Sequence, residues 1–301
     1  MKKIKMSKIL IHAFFILLCI CYILPLVMVV SISLSSETAV TAPGAGYSLL
    51  PQDFTLDAYR MAFEKPKTMI MAYVVTIGQS VLGTAGALLV SGMMAYALSR
   101  TGFAFKGFFT FIVFFTMLFS GGMIPTYIVY TQMYHLGNNF LVYILPGLAG
   151  GAWNTLMIRT FFKGIPESLF ESAKLDGAGE FTIFLRIAAP LSKPVFATVG
   201  FMQLVAKWND WNTSLIYIRN ESLYTLQYLL QRVLNEVEFL KRLANDERLQ
   251  NIGFDVSQLF ETPMETYRYA LCVIAAGPML LVFPFFQKYF AKGTVVGSVK
   301  G

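Results

Sequence analysis

Between Lys8 and Glu37 the chain has no Asp, Glu, Lys or Arg, and residues 9–34 are apolar with scarcely a break. At about 1.5 Å per residue, a helix over that run is long enough to cross the ~30 Å hydrocarbon core of a bilayer. Lys2, Lys3, Lys5 and Lys8 precede it as in the basic leader of a secreted protein. The run is too long for a leader, however, and no small-x-small cleavage site closes it. It is expected to stay in place as a first spanning helix, kinked near Pro25.

The same logic extends along the chain. With 56% apolar and only 14% charged residues over 301 positions, the bilayer is the solvent for most of it. Further spans are expected at about 69–98, 106–130, 140–162, 194–218 and 263–290. The fold class is then all-α, a polytopic membrane protein with six transmembrane helices in a single domain over 1–301. Gly78, Gly83, Gly86 and Gly92 in the second span allow close helix approach. The third span is interrupted at Ser120-Gly121-Gly122 and Pro125. Such a break is either a simple kink or unwound backbone lining a cavity, and the sequence leaves both open. Residues 221–262 form a long external loop. Within it Leu226, Leu229, Leu230, Val233, Leu234, Val237 and Leu240 keep helical period, as an amphipathic helix does. Thr262, Pro263 and Glu265 then stand in capping-box order at the start of the sixth span.

A net charge of +7 would suggest nucleic acid in a soluble domain. Here, fourteen of the 24 Lys and Arg fall on the short segments that share a side with both termini, and the other ten are spread over long segments opposite. That asymmetry places the termini in the cytoplasm and makes a nucleic-acid partner unnecessary, leaving membrane lipids as the surroundings. Cys19, Cys21 and Cys272 lie inside apolar runs without metal spacing, so they read as packing residues and no metal site is expected.

One stretch is charged where its surroundings are built for lipid. Residues 164–192 begin with Pro166, suited to a first helical position, and continue through Glu167, Leu169, Phe170, Ala173 and Leu175 to Gly177. Gly179 lets the chain turn. Phe181, Phe184, Leu185 and Ala188 follow at the spacing of one apolar helix face, and Pro190 and Pro194 are expected to stop that helix. The product is a helix-turn-helix hairpin too short and too charged to span. By periodicity alone it either lies on the membrane surface or carries an apolar knob for a partner.

The order of its residues resembles the EAA loop of binding-protein-dependent ABC importer permeases, E-A-A-x3-G-x9-I-x-L-P. Glu171, Ala173, Gly177, Ile187 and Pro190 match that pattern, while Ser172 and Ala189 depart from it. The run Ala173-Lys174-Leu175-Asp176-Gly177-Ala178 is similar to the carbohydrate branch. With Trp208-Asn209-Asp210-Trp211 and the ending Lys292 to Gly301, the whole chain resembles maltose-type permeases that handle complex oligosaccharides in Gram-positive bacteria. The resemblance implies a cytoplasmic-membrane permease that pairs with a second homologous permease on two cytoplasmic ATPase subunits. It further implies that sugar arrives from an extracytoplasmic solute-binding lipoprotein and that the hairpin is the coupling element docking on the ATPase. Phe170, Glu171, Ala173, Leu175, Asp176, Gly177, Phe181, Phe184, Ile187 and Pro190 are then candidate coupling residues, and the tail is expected near the ATPase. No Walker-type phosphate loop is present, so ATP and Mg are expected in the partner and no cofactor in this chain.

The fifth span is the most polar. Lys207 and Asp210 are three apart and are expected to pair on one helix face. Asn154, Gln203, Trp208, Asn209, Asp210 and Trp211 are candidates for a substrate path, since aromatic faces stack on sugar rings and amides match hydroxyls. The cluster equally suits an interfacial anchor. Rival functions are a permease for a non-sugar solute, a membrane scaffold or signalling protein, and a membrane enzyme. The last is disfavoured because His12 and His135 fall on opposite sides of the membrane.

Overall fold

The computed structural model of the chain describes residues 6–42, 44, 48–148, 151–244 and 264–296. All regular elements among the described residues are helical. The first apolar run is one helix, α1 (Met6–Ser33), with Pro25 inside it. Two short helices follow: α2 (Glu37–Thr41), capped by Ser36 Oγ accepting from Ala39 N, and α3 (Asp57–Ala62). Helix α4 (Pro66–Ser99) opens on a proline, whose missing N–H has no intrahelical partner there, and runs 34 residues without a break.

The third apolar run is two pieces. Helix α5 (Lys106–Leu118) and α6 (Met123–Ile128), continued by a π-helical turn Val129–Met133, meet at 111°. Gly122 makes the corner at φ +85°, a conformation L side chains avoid. The interruption is therefore an unwound corner. Next come a 3-10 turn Phe140–Tyr143, α7 (Leu145–Leu148) and α8 (Ala152–Lys163). The charged stretch forms α9 (Glu167–Leu175), α10 (Glu180–Ile183), a π-helical turn Phe184–Ala188 and α11 (Ala189–Leu191).

Helix α12 (Lys193–Trp208) then leaves at 84° to the preceding arm. The arm ends between the two prolines: Pro190 lies near its end, just after the π-helical turn, the corner falls at buried Ser192, and Pro194 sits in the first turn of α12, where its missing N–H has no intrahelical partner. Pro166 sits one place earlier than expected, at the N-cap of α9, so Glu167 is the first helical residue.

The fifth run, expected as one helix over 194–218, breaks at Asn209–Trp211 before α13 (Asn212–Tyr217). The expected amphipathic helix is α14 (Leu226–Ala244), with Leu226 and Val237 buried and Phe239 exposed. The last helix, α15 (Met264–Val296), runs beyond the expected end near 290. The Thr262-Pro263 cap and the tail past Val296 lie outside the described residues. Among the described residues three helices are long and apolar enough to cross a bilayer alone, at Lys8–Ser33, Pro66–Ser99 and Glu265–Gln287; counting each bent pair as one crossing raises the number to as many as six.

The chain divides into two compact units. One comprises Met1–Met69 with Leu229–Pro278. Inside it Glu37 caps α15: its carboxylate accepts from Glu265 N (2.9 Å), Thr266 N (2.8 Å) and Thr266 Oγ1 (2.8 Å). An anion at that helix end meets the positive pole of the dipole. The other unit comprises Ile70–Tyr228 with Met279–Gly301 and holds both candidate sites. Its helices approach closely at the glycines singled out above. A Cβ on Gly92 would lie 2.9 Å from the Phe196 ring, and one on Gly78 3.1 Å from Phe140.

Candidate functional site

The hairpin is built around the end of α9. Ala178 N donates to Ala173 O (2.9 Å) and Gly177 N to Lys174 O (3.0 Å), with Gly177 at φ +78°. This pair of bonds with a left-handed residue between them is a Schellman cap. The cap explains the spacing. Ala173 supplies the carbonyl and a small buried side chain facing Ala178, and glycine falls four residues later, where φ turns positive.

One face of the hairpin is packed on its own chain. Phe170, only 1% exposed, joins Ala173, Ile183, Phe184 and Ala188 in a core with Ala95 and Tyr96 of α4, Ile158 and Phe162 of α8, and Val195 and Val199 of α12. Rings meet edge-on: Tyr96 lies 6.0 Å from Phe162 and 6.2 Å from Phe170. Of the coupling contacts expected from sequence, Phe170, Ala173 and Phe184 thus face inward, and Ile187 is half-buried. Leu175 and Phe181 stand outward, 89% and 61% exposed, beside exposed Glu171, Asp176 and Gly177; Pro190 is exposed farther along. The hairpin is two-sided: aromatic rings hold it from within, and a separate apolar and acidic edge is offered outward.

Four charges and a phenol tie both arms to α4. Arg100, just past the end of α4, pairs with Glu167 in the first turn of α9, and its guanidinium lies 3.9 Å above the Phe170 ring. Thr101 Oγ1 donates to the same carboxylate (3.3 Å). Tyr96 OH donates to Glu180 Oε2 (2.6 Å) at the start of α10, and Lys174 Nζ reaches Glu180 Oε1 (2.6 Å). The hydrogen bond from Lys174, then that from Tyr96, holds the Glu180 carboxyl below its ordinary range against the opposing effect of burial. The C-terminal carbonyls of α4 meet cations as well: Arg159 Nε donates to Leu98 O (3.0 Å) and Lys106 Nζ to Ser99 O (3.4 Å). Sequence reading missed Tyr96, Arg100, Glu167 and Glu180 as a set. Its one signal is a lone tyrosine and arginine, four apart, at the end of an apolar run.

The second group of candidates is only partly brought together. Lys207 and Asp210 take separate partners. Lys207 Nζ donates to Tyr143 O (2.7 Å) through a slot beside Gly83 and Gly147, while Asp210 accepts from Thr213 N (3.0 Å) and Thr213 Oγ1 (2.6 Å). The expected pairing fails because α12 ends at Trp208, which removes the i, i+3 geometry and leaves Asp210, one residue before the Trp211 N-cap, to hold the first turn of α13 through Thr213. Asn209 Nδ2 returns to Val205 O (2.9 Å). Trp208 is 5% exposed and Asn154 3%, both packed inside, whereas Gln203 is half-buried and Trp211 exposed. The aromatics that gather are instead Tyr127, stacked on Tyr217, and Tyr130, tilted against it, each with its ring centroid 5.8 Å from that of Tyr217. Among the described residues no three His, Cys, Asp or Glu side chains gather as metal ligands would.

Apolar helices of bilayer length, a sharply broken span and a stiff charged hairpin with an apolar edge define a class: a multi-pass membrane transport subunit. Residues 79–296 match the binding-protein-dependent transport system inner membrane component, and the chain belongs to that family. It is 35% identical, over 99% of its length and 100% of the relative's, to the polygalacturonan/rhamnogalacturonan transport system permease protein YtcP of Bacillus subtilis. It is 38% identical to Protein LplC of the same organism, covering 93% of this chain and 90% of that one. A solved bacterial ABC transporter involved in import of the acidic polysaccharide alginate superposes with a TM-score of 0.77 at 29% identity, over 96% of this chain and 98% of that one. The family is a transport family and not an enzymatic one, and its members are inner-membrane components.

Proposed function

We propose that this chain is one permease subunit of an ATP-driven importer that moves an oligosaccharide across the cytoplasmic membrane by alternating access. The observation that carries the reading is the two-sided hairpin: an inner face locked to three helices and an outer edge of Leu175, Phe181, Glu171 and Asp176. In this reading the six crossings are α1, α4, α5 with α6, α7 with α8, α12 and α15, and the Lys and Arg bias puts both termini and the hairpin, its arm Glu180–Leu191 included, in the cytoplasm. The outer edge docks on one of two ATPase subunits, which bind ATP and Mg. A second homologous permease completes the path, and an external solute-binding lipoprotein delivers the sugar. Closure of the ATPases displaces the hairpin, and differential contacts in the two states drive the helices between inward and outward openings.

The names of YtcP and of the alginate importer make oligosaccharides of acidic polysaccharides the first substrates to test. Gln203, Asn209, Asp210 and Trp211 are the path residues in this reading, with Trp208 and Asn154 supporting them from within. The test is ATP-dependent uptake of labelled oligogalacturonides, alginate oligomers and maltodextrins by the intact complex, with Leu175→Asp/Phe181→Asp beside the unaltered chain. Uptake of one class, lost together with ATPase co-purification in the double variant, is the expected result. Uptake and co-purification unaffected by two aspartates on that edge would refute the docking assignment.

A further inference from the structure

The hairpin is continuous in sequence with α8 on one side and α12 on the other and bonded to both along the backbone, yet the side-chain ties of its two arms run to the end of α4. Both arms are gripped from α4: α9 through Glu167 by Arg100 and Thr101, α10 through Glu180 by Tyr96. The Arg100 guanidinium also covers the Phe170 ring, so the ion pair and the core of the hairpin share one side chain. At 11% side-chain exposure, Arg100 has little access to water as an alternative partner.

Helix α4 is suited to carry motion away from this grip. It is a single helix of 34 residues, whereas α5 and α6 meet at 111° and the arm before α12 turns by 84°. Seventeen residues from Tyr96, about 26 Å along the helix, α4 is bonded again. Gln79 Nε2 donates to Lys207 O (2.8 Å), and Thr76 Oγ1 accepts from Leu226 N (2.9 Å), both from buried positions. Those contacts fall where α12 ends and α14 begins, at the far end of the unit from the hairpin. The π-helical turn and the corner at Ser192 interrupt the covalent route through α11 and α12.

We propose that Tyr96 and Arg100 are positioning residues that gear the hairpin to α4, so that displacement of the hairpin reaches the outer end of the path through α4 rather than through α12. This rests on reading the hairpin as the ATPase dock. Tyr96 and Arg100 touch neither sugar nor ATP; they set how much of the hairpin's movement arrives.

The test uses the intact importer in proteoliposomes and reads three quantities: ATPase subunits retained, ATP hydrolysed, and sugar moved per ATP. Tyr96→Phe and Glu167→Gln each remove one grip while keeping side-chain volume, and are combined in a double variant. The expected result is full retention of the ATPase subunits, hydrolysis within about twofold of the parent, and a fall of roughly tenfold or more in sugar moved per ATP, larger in the double variant than in either single one. Exchanging the pair, Arg100→Glu with Glu167→Arg, is expected to recover a good part of what Arg100→Glu alone loses. An unchanged sugar-to-ATP ratio in the double variant, or no recovery in the exchange, would overturn the proposal. Loss of the ATPase subunits from the double variant would overturn it too, since the grips would then shape the dock itself. Failure of the docking reading is recognised separately, by ATPase retention in Leu175→Asp/Phe181→Asp.

Discussion

Gly177 offers a test in which backbone conformation is the only variable. Its φ of +78° closes the cap on α9, and a Cβ added there meets no atom within 4 Å. Within this chain an added Cβ therefore costs conformational strain and meets no clash. For an L residue in the left-handed region that strain is roughly 1–2 kcal/mol. Alanine should fall near the lower figure and valine, whose branched Cβ crowds the carbonyl, at or above the upper one. Asparagine tolerates the region and should cost a few tenths. Since about 1–2 kcal/mol is a factor of about 5–30 in an equilibrium, cap opening should rise about fivefold in Gly177→Ala, about thirtyfold in Gly177→Val and less than twofold in Gly177→Asn. Amide hydrogen exchange at Gly177 and Ala178, whose N–H groups make the two cap bonds, measures this directly. Sugar uptake by the assembled importer should decline in the same order. If asparagine proves as damaging as valine, the position is limited by side-chain bulk, and the conformational argument fails.

Three further outcomes follow from the geometry. Gly92→Leu forces a side chain into the Phe196 ring and should cost about 1–3 kcal/mol in thermal denaturation of the detergent-solubilised protein, whereas Gly102→Leu, with open space around it, should be silent. Glu37→Ala strips three hydrogen bonds from the start of α15 and should lower stability by about 1–2 kcal/mol in the same assay; a loss under a few tenths would mean that water caps the helix equally well. Glu180, facing Lys174, Tyr96 and Arg100, has its carboxyl held below the ordinary range. Its contribution is thus complete above that range and is lost only as pH falls through the lowered value. Hairpin protection should be flat from about pH 8 down to about pH 5 and drop only in stronger acid, and Glu180→Gln should remove that acid-dependent part.

Much of this was legible in the chain because the bilayer imposes a coarse code. An uncharged run such as 9–34 has few options, and the glycines of the second apolar run do sit at tight contacts, Gly92 against Phe196 among them. The hairpin was readable for a similar reason, since a glycine four residues after Ala173 is what a Schellman cap requires. Broken helices were harder. Hydropathy registers that 106–130 and 194–218 are apolar but is blind to the angle between two halves, which Gly122 and the residues 209–211 decide locally. Side-chain partners across helices were not legible at all. Periodicity assigns Phe181 and Phe184 to one apolar face, and only packing reveals that the second is sealed within while the first faces out. Lys207 and Asp210 looked paired for want of knowledge that α12 stops between them and the next helix.

The two-sidedness of the hairpin also bears on how such a chain can change over time. Its inward residues answer to α4, α8 and α12 of the same polypeptide, while Leu175 and Phe181 stand outward, Phe181 leaning on the Phe184 ring at the margin of that core. If that edge is the proposed dock, a mutation on it retunes the match to the ATPase with little effect on folding, and a compensating change in the core leaves that match alone. Under that proposal drift in one set of positions is separated from drift in the other, and a few surface substitutions on an inherited frame would suffice to change the energising subunit.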